Sequence, residues 1–295
     1  MFKNLRVKKY PVQFETRPGS LTSEWLLEDS DSPIILEQIN NLPNNIKLRV
    51  YRNLLPPGLM IRFNIDPITW KGPDGQLHVG LKADEQTGFV HLWAHKNGSQ
   101  QDEFFRLEIS DNPQRGIDIN LIHLNDPEGQ RYSTDFDQDG EPTLFGTTRR
   151  NLEEERRAMD GGLAPGQIRK NLGASALAFQ QIEAFLATLG HRAYFLDPLT
   201  YSSAWVFEKR GFAYVRGHKL MDDIQHEFQP GGKLHEALDG STTFRKSDQW
   251  RTVRGRAWAI HDGILENIGE QWDGLRMIKQ VGRHAGVDTF PDAEF

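Results

Sequence analysis

From residue 47 onward, short apolar runs alternate with turn clusters. Runs at 48–51, 60–63, 77–81, 89–93, 104–109 and 117–124 read as strands. Between them sit Gly72-Pro73-Asp74-Gly75, Lys96-Asn97-Gly98, Asn112-Pro113 and the stretch 125–129. Strands at this spacing, joined by such turns, predict an antiparallel meander. Ahead of it, residues 1–45 read as an irregular lead-in with one short helix at about 33–42. After Arg149 the period changes. Ala178, Ile182, Phe185, Leu186 and Leu189 form one helical stripe, and Gly190 is placed to end it in a left-handed conformation. A strand at 192–196, a helix at 201–210 stopped by Gly211, and a strand at 212–216 follow. The remainder predicts helices near 250–269 and 274–285. No internal repeat or low-complexity tract is present. The pattern is that of an α+β (mixed α/β) protein. Four segments follow from it: a lead-in (1–45), a meander half (46–145), an α/β half with a charged insertion (146–217) and a C-terminal helical extension (218–295). That extension is expected either to cap the sheet or to contact another subunit, so a homodimer is an open expectation.

Composition narrows the chemistry. Of 295 residues, 37% are hydrophobic, enough for a core that must take most of the seven Trp and seventeen Phe. No apolar stretch approaches the roughly 20 residues of a membrane span, and the first residues lack the apolar run of a signal peptide. A cytoplasmic protein is expected. The absence of Cys excludes disulfides, thiolate metal sites and a cysteine nucleophile. A net charge of −6 argues against nucleic acid as a partner. The basic residues Arg149, Arg150, Arg251, Arg254 and Arg256 read as solvated faces.

The segment 163–217 is the most informative. A glycine-bearing turn, Arg169-Lys170-Asn171-Leu172-Gly173-Ala174-Ser175, opens the long helix. Such a turn leaves backbone N–H groups pointing outward where the helix dipole adds positive potential, which seats a phosphate. About thirty residues later comes Phe207-Glu208-Lys209-Arg210-Gly211-Phe212. Together these resemble two signatures of the GCN5-related N-acetyltransferase superfamily. One is a helix start with Gln or Arg, two residues, Gly, one residue, then Gly or Ala. The other is a helix ending in Tyr-Glu-Lys-x-Gly-Phe. Arg169 takes the first place of the first signature, Leu172 the glycine and Ala174 the last small position. Pro165 resembles the proline that often precedes it. The matches cover about fifty-five residues. A meander followed by helix, strand, helix and strand is the order this family's fold implies.

The resemblance implies an N-acyltransferase that takes an acyl group from acetyl-CoA or another acyl-CoA. It would pass the group to an amine on a small molecule or a peptide, by direct attack in a ternary complex. Leu163, Ile168, Arg169, Lys170, Asn171, Leu172, Gly173, Ala174 and Ser175 would bind the cofactor, and the strand leading into the loop would pair with its pantetheine arm. Leu172 departs from the expected glycine. Either the cradle is shifted by one residue, framed by Lys170, Gly173 and Ser175, or its shape has changed. Phe207 stands where many members have the tyrosine that protonates the leaving thiolate. Tyr201 or Tyr194 is a substitute, though a thiol of pKa about 8.5 leaves with little help. For the base, Asp118, His123, Asp135 and Glu141 are candidates. Strict alternation puts His123 on the face of Ile117, Ile119 and Leu121. The charged stretch 149–157 reads as a solvated helical insertion.

A non-catalytic ligand-binding or interaction protein on the same fold is the alternative. It is motivated by the missing glycine and tyrosine. Other chemistries fit poorly. Asp135-Phe136-Asp137-Gln138-Asp139-Gly140 opens like a calcium loop, but Gly146 stands where its closing acid belongs, and a hairpin is the simpler reading. The histidines lack zinc-ligand spacing, so no metal is expected. Neither a nucleophile elbow, a Walker loop nor a dinucleotide fingerprint is present.

Overall fold

The computed structural model describes residues 32–97, 102–144, 146 and 148–293. Most of the lead-in (residues 1–31) and Gly98 of the second turn lie outside the described residues. The fold is mixed α+β, built on an open, mostly antiparallel sheet. Its strands are β1 (Val79–Lys82), β2 (Phe89–Ala94), β3 (Phe105–Asp111), β4 (Ile117–Leu124), β5 (Ala193–Leu196), β6 (Ala213–Arg216) and β7 (Arg276–Gln280). They lie in the order β1-β2-β3-β4-β5-β7-β6. The first four form the expected antiparallel meander, while β5 runs parallel to β4. The helices are α1 (Leu36–Asn40), α2 (Asn44–Tyr51), α3 (Pro57–Arg62), α4 (Leu152–Asp160), α5 (Ser175–Thr188), α6 (Tyr201–Lys209), α7 (His218–Glu227), α8 (Lys233–Glu236) and α9 (Val253–His261).

Three expected elements change type. Runs 48–51 and 60–63 are helical, in α2 and α3. Lys47, Val50, Tyr51 and Leu54 are buried at i, i+3, i+4 and i+7, a helical period that the four-residue apolar run conceals. Pro43 and Pro57 start the two helices, where a missing N–H costs nothing. Conversely, 274–285 contains the strand β7. Met277 and Lys279 are buried in alternation, and Gly274 and Gly282, both at positive φ, flank them.

The chain forms two compact units, each discontinuous in sequence. The first holds the described residues up to Pro127, Asn171–Leu196 and Ile278–His284; the second holds Glu128–Lys170, Asp197–Met277 and the described residues from Ala285 onward. In the first unit, Val90, Leu92, Phe105, Leu107, Ile109, Ile117 and Ile119 bury one face of the meander. The apolar stripe of α5 (Ala178, Ile182, Phe185, Leu186) is buried as its spacing predicts. Tyr51 meets Phe185 with ring centroids 6.1 Å apart. The Asp111 carboxylate, at the end of β3, accepts the amides of Leu36 and Glu37 and so caps α1. In the second unit, Tyr132, Ala158, Leu163, Phe244 and Trp258 form a separate apolar cluster.

Candidate functional site

The first unit brings together three features: an interrupted strand, the end of a parallel ladder, and an uncapped helix start. β4 carries a bulge at Asn120. Ile109 pairs with Ile119 and Glu108 pairs with Leu121, so Asn120 is the extra residue. Because side chains alternate with period two, one extra residue inverts everything beyond it. His123 therefore lies on the face opposite Ile117 and Ile119, not with them. It pairs with Arg106, which pairs with Trp93, and next to that row lie Leu121, Glu108 and His91.

On this half-buried face Arg106 Nη2 lies 2.6 Å from Glu108 Oε1, and the His91 and Trp93 rings are 4.5 Å apart. His91 Nε2 is 4.0 Å from the Glu108 carboxylate and has no hydrogen bond. Burial, and then the Arg106 charge, lower its pKa against the opposing pull of Glu108 and Glu103. The imidazole is thus neutral at neutral pH, with a nitrogen able to take a proton. Strict alternation hides this cluster, and only the bulge places His123 within it.

β5 pairs with β4 only over Ile117–Ile119, so the parallel ladder stops where the bulge begins. The chain returns to β4 at its far end. Leu172 N–H donates to the Leu124 carbonyl at 2.9 Å, and Asn171 bridges Asn125. Asn171 Oδ1 then accepts the Gly173 N–H at 2.8 Å, turning the chain into α5. Leu172, the departure from the glycine pattern, is only 8% exposed, so its side chain points into the core and not across the turn. Gly173 is the residue at φ +75°, and a Cβ built there would meet no protein atom within 4 Å. The residue in the left-handed conformation is thus one position beyond the place where the resemblance expects the glycine. Ala174, at the N-cap, gives no side-chain acceptor. The first-turn amides of Ser175, Ala176 and Leu177 have no intrahelical acceptor by the geometry of any helix start.

Apart from Asp118 and Tyr194, the other expected site residues belong to the second unit. Leu163 is a core residue, and its carbonyl accepts Trp258 Nε1–H at 2.8 Å. The Ile168 carbonyl takes the Tyr132 amide, and the Arg169 guanidinium donates to the Gly129 carbonyl. Lys170 is exposed. Asp135 pairs with Arg131 at 2.7 Å. The acid-rich run is a hairpin: Phe136 bridges Pro142, and Asp137 Oδ1 accepts the Asp139 and Glu141 amides. Among the described residues no group of three His, Asp or Glu is arranged to hold a metal.

Tyr201, the first residue of α6, is 1% exposed, and burial pushes its phenol up to about 12 against the lowering pull of Arg256. Arg256 Nη1 lies 3.5 Å away and donates to Gln225 Oε1 at 2.6 Å, under the Phe290 ring. Tyr201 is thus embedded in a core network. Tyr194, in the first unit, is fully buried and its phenol is held well above its usual range by burial and by Glu183. In the second signature, Glu208 is a structural clamp. Its carboxylate accepts the Tyr214 hydroxyl and both the amide and hydroxyl of Thr289. Gly211 at φ +87° supplies the reversal into β6. The charged helix α4 is not wholly solvated. Its Glu155, 3% exposed, binds Arg150 at 2.5 Å and His261 at 3.2 Å.

Comparison with known proteins gives no match to any family model, curated protein or solved structure.

Proposed function

We propose that the protein is an N-acyltransferase of the GCN5-related kind, moving an acyl group from a pantetheine thioester to an amine. One observation carries the reading: the β4–β5 ladder ends at Ile119, and the far end of β4 meets a helix start whose first-turn amides lack intrahelical acceptors while Leu172 is folded inward. The edge of β4 beyond the ladder is suited to hydrogen-bond a pantetheine amide. The turn at 171–175 is suited to hold the phosphate behind it. The element order of meander, helix, strand, helix and strand agrees with the resemblance.

In this reading the amine nitrogen attacks the thioester carbon. The C–N bond forms, the C–S bond breaks, and the proton lost by the amine balances the one the thiolate gains. His123, on the half-buried face of the meander that also carries Glu108 and His91, supplies the proton acceptor. The acceptor is a small amine or a peptide amine.

A buried Tyr201 and the Phe207 substitution favour a second reading, in which the same fold binds a pantetheine ligand without turnover. Calorimetry with acetyl-CoA and a thiol-release assay over a panel of amines separate the two. Binding with turnover is expected. Binding without turnover supports the second reading, and no binding overturns both. His123→Ala is expected to lower kcat at least tenfold with little change in acetyl-CoA affinity.

A further inference from the structure

The helical layer beside this turn has a charge bias opposite to the rest of the chain. Between Glu37 and Asp66 there is no acid, while Lys47, Arg49, Arg52 and Arg62 all fall there, in a protein of net charge −6. Lys47 is turned inward, its ammonium donating to the Ala83 carbonyl at 3.1 Å. Arg49 and Arg62 are exposed, and Arg52 is half-buried with an Nε that has no hydrogen bond. Burial first, and then the neighbouring Arg49 charge, lower the Arg52 pKa, with Asp66 opposing. Charge of one sign gathered on one layer attracts a partner of the other sign and raises its rate of encounter.

Apolar side chains are interleaved with these cations. The solvent face of α3 consists of Gly58, Ile61 and Arg62, and Ile61 is 63% exposed. Leu48 on α2 and Leu177 on α5 add 39% and 40% exposed apolar surface. The layer borders the turn directly. A Cβ on Gly58 would lie 4.0 Å from Leu177, which belongs to the first turn of α5, and Gln181 one turn further donates to the Asn53 carbonyl at 2.6 Å.

We propose that this surface docks an acidic carrier protein that presents the acyl group as a phosphopantetheine thioester. The inference rests on the acyl-transfer reading and names the donor. The carrier's acids meet Arg49, Arg52 and Arg62, its apolar contact meets Ile61 and Leu177, and the arm runs past α5 to the edge of β4. The phosphate seated at 171–175 is then the diester joining arm to carrier. In the transfer the amine takes the acyl carbon, the carrier thiol leaves with one proton, and nothing is oxidised or reduced.

The test compares a fluorescently labelled acidic carrier protein, loaded with hexanoyl-phosphopantetheine, with hexanoyl-CoA. Anisotropy gives the first Kd and calorimetry the second. The carrier is expected to bind more weakly as salt rises. Combining Arg49→Glu with Arg62→Glu should weaken it at least tenfold, and Ile61→Asp separately by a similar factor. All these side chains are exposed, so unchanged thermal unfolding checks the fold. Affinity for hexanoyl-CoA should stay within about twofold in each variant. A carrier that does not bind while hexanoyl-CoA does overturns this inference and leaves acyl transfer standing. Equal loss of both ligands in the variants also overturns it, because the surface would then serve the nucleotide. If neither ligand binds the unaltered protein, both readings fall.

Discussion

Gly173 occupies a backbone conformation that costs an L-residue about 1–2 kcal/mol. Its surroundings are open, so the penalty comes from φ and not from a clash. Gly173→Ala is therefore expected to lower stability by roughly that amount in urea titration. The added methyl also projects into the space over the turn, where acetyl-CoA affinity should fall at least tenfold. Glu155 gives a second prediction of this scale. Burial raises its pKa, but hydrogen bonds from His261 and Arg150 outweigh burial and leave it lowered overall. A lowered folded pKa means that the contribution is present above the unfolded value, about 4.3. It is lost as pH falls through the folded value. Glu155→Gln should cost roughly 3 kcal/mol at neutral pH, as breaking a buried pair does. It should also flatten the acid limb of stability against pH, measured by chemical denaturation between pH 7 and pH 3.

The bulge in β4 is the element on which the site turns. Removing Asn120 leaves Ile117, Ile119, Ile122 and Leu124 in regular alternation on the buried face, with Leu121 and His123 still opposite. The deletion variant should therefore fold, with thermal stability near that of the parent. It removes the local bend, and bulged strands bend where the extra residue sits. If the end of the β4–β5 ladder admits a pantetheine arm, this variant should bind acetyl-CoA at least tenfold more weakly. Unchanged affinity would show that the bend is not needed. β2, β3, β5, α5 and α6 were legible from periodicity because each has one buried face of matching period. α2 and α3 were not, since an apolar run of four residues satisfies either period, and β7 was not, since Leu275, Ile278 and Val281 recur at a helical spacing. Neighbouring structure then decides.

For the molecule as a whole, discontinuity matters more than any linear boundary. Residues 278–284 belong to the first unit although they lie near the end of the chain. Lys279, 5% exposed, pairs with Glu183 of α5 at 3.0 Å, and the Gly282 amide donates to the same carboxylate at 2.7 Å. A fragment ending at residue 217 leaves Glu183 buried without either partner. It should unfold without a cooperative transition in circular dichroism. Lys279→Met isolates the effect and should cost about 3–5 kcal/mol. Among the described residues no helix is long and apolar enough to cross a membrane.

The amino-acid order alone determined the meander, the long amphipathic helix after it and the glycine turn at its start. Those depend on local periodicity and on backbone freedom at single residues. Only the tertiary structure decided which way Leu172 points, which face His123 occupies and that Tyr201 is enclosed. Each of those follows from contacts between segments distant in sequence. A single bulge inverts a strand's facing without changing the residues beyond it, and a buried leucine and one blocking a turn are spelled alike.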